Sequence, residues 1–304
     1  SIIYYNCGYN PHIIIALVVV FIAKLNNKLN ANIMFSGHGS FDQLLSTSII
    51  KSCWISLIIV PFLKHTKCTY ILNSDGEFEA MNHKIKELKE IKFQTAYNAF
   101  PSFTFSLHAK KTKSIIEDSK EFYFDSSYIL YLGRIVKKKR LVETIKFLDK
   151  NGWFNMGGKF LIAHVNDDEA YLKEVITSIE NSSIKKDIIF LGKVHGPQKW
   201  SLILNSKAFI LLSISEGLPM AILEADALKI PVICTKECNY LPKTENSIVC
   251  HDLLKNEYNA ALSDIFNRKL DPKSIFEELD NFSFHNTKGF LSTYNKIFYE
   301  IKEN

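Results

Sequence analysis

The chain has 304 residues, 47% hydrophobic and 23% charged, which excludes a disordered polymer and suggests two domains of ~150 residues. Its 37 basic and 32 acidic residues leave a net charge of +5, too mild an excess for a nucleic-acid-binding field. The longest apolar run, residues 13–23, is about half of the ~20 residues that a membrane span needs and reads as a buried helix.

In chain order, strands are expected at 2–5, 31–35, 68–72 and 91–96, and then at 128–132, 159–163, 187–191, 207–212, 231–234 and 247–249. Most are continuous apolar runs, as strands buried on both faces should be. Helices are expected at 141–150, at 167–178 with acidic residues in the opening turn, at 219–228 and at 257–268. Repeated strand–helix–strand units mean an α/β fold, with a parallel sheet covered by helices on both sides. The alternation pauses across the polar stretch 101–127. This places a first domain at 1–105 and a second at 106–284. A C-terminal helix is expected at 285–304, packing back on the first domain. Phe290, Tyr294, Ile297, Phe298 and Ile301 share one face of it. The apolar stretch 54–63, interrupted by Pro61, is read as a buried helix rather than one lying on a membrane surface.

The six cysteines stand at 7, 53, 68, 234, 238 and 250. Cys234 and Cys238 are four apart, not the three of a redox or zinc pair, so reduced core thiols and no metal are expected. Trp153 and Trp200 read as core anchors. Asp167-Asp168-Glu169 reads as a helix start, and His164, at a strand end, as structural.

Two segments could carry chemistry. The first is Tyr131-Leu132-Gly133-Arg134-Ile135-Val136-Lys137-Lys138-Lys139-Arg140, at the carboxyl end of a strand, where open parallel sheets bind ligands. Gly133 lets the backbone turn. Arg134 and Lys139 could close on a phosphate, one as a planar fork and one as a point charge. A charge run is usually only a solvated face. Here, however, two of the chain's three Arg (Arg134, Arg140, Arg268) fall in one loop. The second segment is Ser213-Ile214-Ser215-Glu216-Gly217-Leu218-Pro219-Met220-Ala221-Ile222-Leu223-Glu224. In it a buried strand runs into Ser-Glu-Gly, and Pro219 sits in the first turn of a helix. The N–H groups around Gly217, Leu218 and Met220 would then form an anion site. Two Glu eight residues apart would, alone, be coincidence.

Together and in this order, the two segments resemble the retaining glycosyltransferases of family 4, which have the GT-B fold. Gly133-Arg134 followed by Lys139, and Ser-Glu-Gly-Leu-Pro followed by Glu224, carry the resemblance. Phe190-Leu191-Gly192 leading to Val194, and Ile230-Pro231-Val232-Ile233-Cys234-Thr235, extend it. More weakly, so do Ser36-Gly37-His38-Gly39 and Asn98 in the first domain. The resemblance implies two Rossmann-like parallel-sheet domains facing a cleft. The first is expected to be incomplete, because the family's opening strand and Gly-rich turn have no counterpart before Ser1. It departs from the family at Arg140, where a Gly is usual, and in the loop 236–240, which lacks paired glycines.

The resemblance also implies a function. The enzyme would move a sugar from a nucleotide-sugar donor to a glycan or lipid-linked glycan acceptor with retention, in surface polysaccharide or lipopolysaccharide biosynthesis. Arg134 and Lys139 would hold the donor diphosphate and Glu224 the ribose hydroxyls. Glu216, with the backbone of Gly217, Leu218 and Pro219, would face the sugar. Gly133 would allow close approach, Val194 would lie beside the base, and His38 would reach across to the sugar. Glu216 and His38 are thus the expected catalytic residues. No metal or other cofactor and no nucleic-acid partner is expected. The expected location is the cytoplasm, with peripheral contact at the inner membrane face left open. Two alternatives remain: a catalytically silent nucleotide-sugar-binding protein and, less favoured, a nucleotide-sugar epimerase, which should carry more proton-moving groups.

Overall fold

The computed structural model describes residues 2–6, 18–20, 22–24, 26, 32–36, 69–72 and 92–95, and residues 127–269 except 166, 167, 181, 218, 241 and 243. The chain forms two compact units. One comprises Ser1–Asn98, Ser215–Leu218 and Lys288–Asn304; the other comprises Ala99–Ile214 and Pro219–Thr287. The stretches 54–63 and 286–302, Cys7, Cys53, Cys68, Asn98, and Gly37 to Gly39 with His38, lie outside the described residues.

The first unit holds a parallel sheet of four strands: β1 (Ile2–Asn6), β2 (Asn32–Ser36), β3 (Thr69–Leu72) and β4 (Lys92–Thr95), paired in chain order. The pairs include Ile3 with Ile33, Phe35 with Tyr70, and Tyr70 with Phe93. Tyr70 is wholly buried. One expectation fails in this unit. The helical residues within 13–23 leave Val18, Val19 and Ile22 40, 59 and 51% exposed. At spacings i, i+1 and i+4 they share one helix face, and that face is turned outward.

The second unit is built on six parallel strands: β5 (Tyr128–Gly133), β6 (Lys159–His164), β7 (Ile188–Gly192), β8 (Ala208–Leu211), β9 (Val232–Thr235) and β10 (Ile248–Cys250). Their spatial order is β10-β9-β8-β5-β6-β7. Read from β7, this is the doubly wound order 3-2-1-4-5-6, which reverses between β5 and β8. Among the described residues, five helices connect or flank the strands: α1 (Leu141–Lys150), α2 (Glu169–Glu180), α3 (Gly196–Leu204), α4 (Met220–Ala227) and α5 (Asn259–Asn267). Every strand expected from the continuous apolar runs is present, shifted by a residue or two at its ends. Helix α2 starts two residues late because Asp168 caps it, its Oδ1 accepting from Ala170 N at 3.0 Å and Tyr171 N at 3.1 Å. Helix α4 starts at Met220. Pro219, with ψ 115, is its extended N-cap rather than part of its first turn.

The central strands are sealed. Ile129, Leu130, Tyr131, Phe160, Leu161, Ile162, Phe209 and Ile210 are buried. Tyr128 donates its hydroxyl to Leu202 O at 2.9 Å, so its burial leaves no unmet polar group. Burial also pushes its phenol well above the usual range. Cys234, Cys238 and Cys250 are buried thiols outside any disulfide. Burial, then its neighbour Cys238, pushes the Cys250 thiol up to about 12, so it stays protonated and inert.

Trp153 is a core anchor with no exposed surface, and its Nε1 donates to Lys159 O at 2.9 Å. A Cβ on Gly158 would lie 2.3 Å from Trp153 Cε2 and 2.5 Å from its Nε1. The buried ring has nowhere to go without losing its hydrogen bond. Gly158→Ala should therefore cost about 2 kcal/mol and lower the melting temperature by roughly 5 °C. A thermal melt unchanged by this substitution would contradict the packing.

Candidate functional site

At the carboxyl ends of β5 and β8 the strand order reverses, which is where doubly wound sheets open a crevice for ligands. The loop after β5 begins at Gly133 and carries the first basic segment. Its backbone is held at several points. Tyr131, buried beneath it, donates its hydroxyl to Arg134 O at 2.7 Å. Ile135 is wholly buried, and its carbonyl accepts from Asp168 N at 2.9 Å. Lys137–Lys139 form one 3-10 turn. The carbonyl of Lys138 accepts from Ile214 N, in the segment after β8, at 2.8 Å.

This frame sorts the five cations of the loop. Arg134 and Lys137 are exposed, and Lys138 and Lys139 are half-buried. Arg140 closes the turn in the left-handed region, at φ 51 and ψ 46. That conformation favours glycine. The departure noted in the sequence is therefore a change of residue on a backbone that keeps the glycine shape. Arg140 still anchors α1, its carbonyl accepting from Thr144 N and Thr144 Oγ1, each at 2.8 Å.

The segment after β8 is held from the other side as well. Thr235, ending β9, donates Oγ1 to Ser213 O at 2.7 Å, and Ser213 is wholly buried. Cys238 Sγ lies 3.3 Å from Leu211 O as a weak donor. The two chemistry-bearing segments thus start from backbone positions tied to each other and to β9. Ser215–Leu218 groups with the first unit. Within it Glu216 and Gly217 are half-buried, and Leu218 lies outside the described residues. Pro219 is buried, and its carbonyl accepts from Ile222 N at 3.1 Å as α4 begins.

Glu224 lies on α4 and is 9% exposed, so it is not a solvated surface carboxylate. Its Oε1 sits 2.7 Å from Lys199 Nζ, on α3. On the far side of the sheet centre, β7 ends at Gly192 with φ 66, and Val194 packs partly buried against the core. His164 meets Phe190 edge-on, with ring centroids 5.7 Å apart, in keeping with a structural role. His195 is exposed and opens α3 as its N-cap.

Two features escaped sequence reasoning. Lys199 is one of 34 lysines, the 37 basic residues less three Arg, and nothing in its spacing singles it out. Asp226, 4% exposed, organises the loop after β9. It accepts from Tyr240 Oη at 2.5 Å, Thr244 N at 2.8 Å and Thr244 Oγ1 at 2.6 Å. Burial, then the bond to Asp226, raises the Tyr240 phenol above its usual range. Its distance from Glu224, two residues along one helix, hid a quite different job.

Among the described residues no group of three or more His, Cys, Asp or Glu could hold a metal ion, and no helix is long and apolar enough to cross a membrane.

The model of the family described as glycosyl transferases group 1 matches residues 112–271. The "putative teichuronic acid biosynthesis glycosyltransferase TuaC" of Bacillus subtilis (strain 168) is 29% identical over 126 residues, covering 41% of this chain and 29% of that protein. The match therefore spans less than a third of that relative's length. Among solved structures, a UDP-forming alpha,alpha-trehalose-phosphate synthase from Burkholderia xenovorans is similar with a TM-score of 0.72 and 10% identity, covering 99% of this chain and 73% of that one. HepE from Anabaena, solved with UDP and glucose, is similar with a TM-score of 0.67 and 15% identity, covering 100% of this chain and 78% of that one. At such identities these likenesses establish the fold, which is that of the two-domain GT-B transferases.

Proposed function

The chain belongs to the glycosyl transferases group 1 family, and on that premise we propose that it is a family 4 enzyme transferring a sugar with retention from a nucleoside-diphosphate sugar to a glycan or lipid-linked glycan acceptor. The observation that carries this reading is the bond between Ile214 N and Lys138 O at the sheet's switch point, which ties together the bases of the two candidate donor-binding segments. The similarity to a teichuronic acid glycosyltransferase supports a surface polysaccharide as the product. Work at the inner face of the membrane fits such an acceptor.

When the bond from the anomeric carbon to the diphosphate breaks, negative charge grows on the leaving group. Arg134 and Lys139 are assigned to neutralise it, together with the N–H groups at the start of α4. Cations and N–H groups suffice for that task, so no metal is required. Glu224 is assigned to the ribose, where a carboxylate accepts from both hydroxyls. Glu216, Gly217, Leu218 and Pro219 are assigned to the sugar, with His38 from the first unit. Val194 is assigned to the base.

The test separates ribose from sugar. Glu224→Ala should weaken binding of UDP or GDP about tenfold to a hundredfold, the ~1.5–3 kcal/mol of a lost charged hydrogen bond. Glu216→Gln should leave plain nucleotide binding nearly intact and lower turnover of an intact donor. Equal effects of both substitutions on nucleotide affinity, read by calorimetric titration, would contradict the assignment.

A further inference from the structure

We infer that Lys199 is a positioning residue for nucleotide recognition, acting through Glu224. This rests on the reading of Glu224 as the ribose-binding carboxylate. A carboxylate on a helix, nine-tenths buried, is costly to leave without a counter-charge. Lys199 supplies it from a different helix, with Nζ 2.7 Å from Oε1.

The lysine is itself held in place. Its Nζ lies 4.1 Å from the centroid of the Trp200 ring, and Trp200 is buried in the core. The ammonium is therefore aimed rather than waving on a flexible stem. A carboxylate offers about four lone-pair sites. One ammonium takes one of them at Oε1, which leaves Oε2 and part of Oε1 for two hydroxyl donors. The ion pair thus sets the rotamer of Glu224 before any nucleotide arrives, and the ordering entropy is spent on folding rather than on binding. It also joins α3, which follows the β7 end carrying Val194, to α4, which follows β8. This contact links the elements assigned to the base and to the ribose.

A lysine that only stabilised the fold would shift all nucleotides alike. A lysine that positions Glu224 would change the discrimination between ribose and its deoxy form. The experiment uses the full chain with UDP and 2′,3′-dideoxy-UDP, and GDP with its dideoxy form, by calorimetric titration. The native chain should bind the ribonucleotide about tenfold or more tightly than the dideoxy form. In Lys199→Met that preference should fall to about threefold or less, through weaker ribonucleotide binding, with dideoxy affinity almost unchanged. Lys199→Arg, which keeps charge and reach, should restore most of the preference. Lys199→Gln gives the same reading, with an intermediate ratio, if the Met variant does not fold. A full preference retained in Lys199→Met or Lys199→Gln overturns the role of Lys199 and leaves that of Glu224 standing. No preference in the native chain overturns the ribose role of Glu224, and this inference with it.

Discussion

Arg134→Lys should lower donor turnover about a hundredfold, whereas Lys137→Ala and Lys138→Ala should each lower it less than about threefold. Arg134, Lys137, Lys138 and Lys139 add similar long-range charge, so steering alone would make them interchangeable. A clamp depends on geometry instead. The carbonyl of Arg134 accepts from the buried Tyr131 hydroxyl at 2.7 Å, and Ile135 next to it is wholly buried. A planar fork projected from such a base can pair two phosphate oxygens at once, which an ammonium cannot copy. Lys138 contributes through its carbonyl, which accepts from Ile214 N and survives truncation of the side chain. Lys139, half-buried at the end of the 3-10 turn, should match Arg134 in its effect when changed to Ala. The loss should appear in kcat as well as KM, because the leaving diphosphate carries more charge in the transition state than in the ground state. Steady-state kinetics at low and high salt provide the check. If all four substitutions give one modest loss that salt abolishes, the loop is only a steering patch.

Asp226→Ala should cost about 3 kcal/mol of stability and lower the melting temperature by roughly 10 °C. The carboxylate accepts from Tyr240 Oη, Thr244 N and Thr244 Oγ1 while only 4% exposed. Its removal strands three donors in a partly buried loop, and stranded donors cost more than a hydrogen bond contributes when made. Asp226→Asn should cost less than half as much. The amide oxygen can keep both Thr244 bonds, and its NH2 can donate to Tyr240 once the phenol hydroxyl turns away. Denaturant unfolding of the two variants measures the difference. If Ala and Asn are equally mild, the loop after β9 is not held by this carboxylate.

The placement of Glu224 and Asp226 shows where sequence reasoning stops. Both are acids on one eight-residue helix, both are buried, and both belong to networks with residues far along the chain. One pairs with Lys199 across 25 positions and the other with Thr244 across 18. Neither distance follows a helical or strand period, so no local pattern reveals it. Arg140 is a milder case. A basic residue stands where a Gly is usual in the resembled family, and its φ of 51 is a conformation that Gly adopts without the steric cost.

By itself the sequence determined the elements and their class. Continuous apolar runs separated by amphipathic stretches can be satisfied only by strands buried on both faces with helices packed over them, so ten parallel strands were legible from periodicity. It also determined the residue types available for a phosphate: Arg, Lys and a strand running into Ser-Glu-Gly and Pro. Only the tertiary structure decided that the loop after β5 and the segment after β8 are neighbours. They are 80 residues apart, counted from Arg134 to Ile214, and they meet because the sheet reverses its order between those two strands. It alone decided which lysine of 34 matters to Glu224, because an ion pair is set by where two helices pass each other, and that is a property of the packed sheet rather than of either helix.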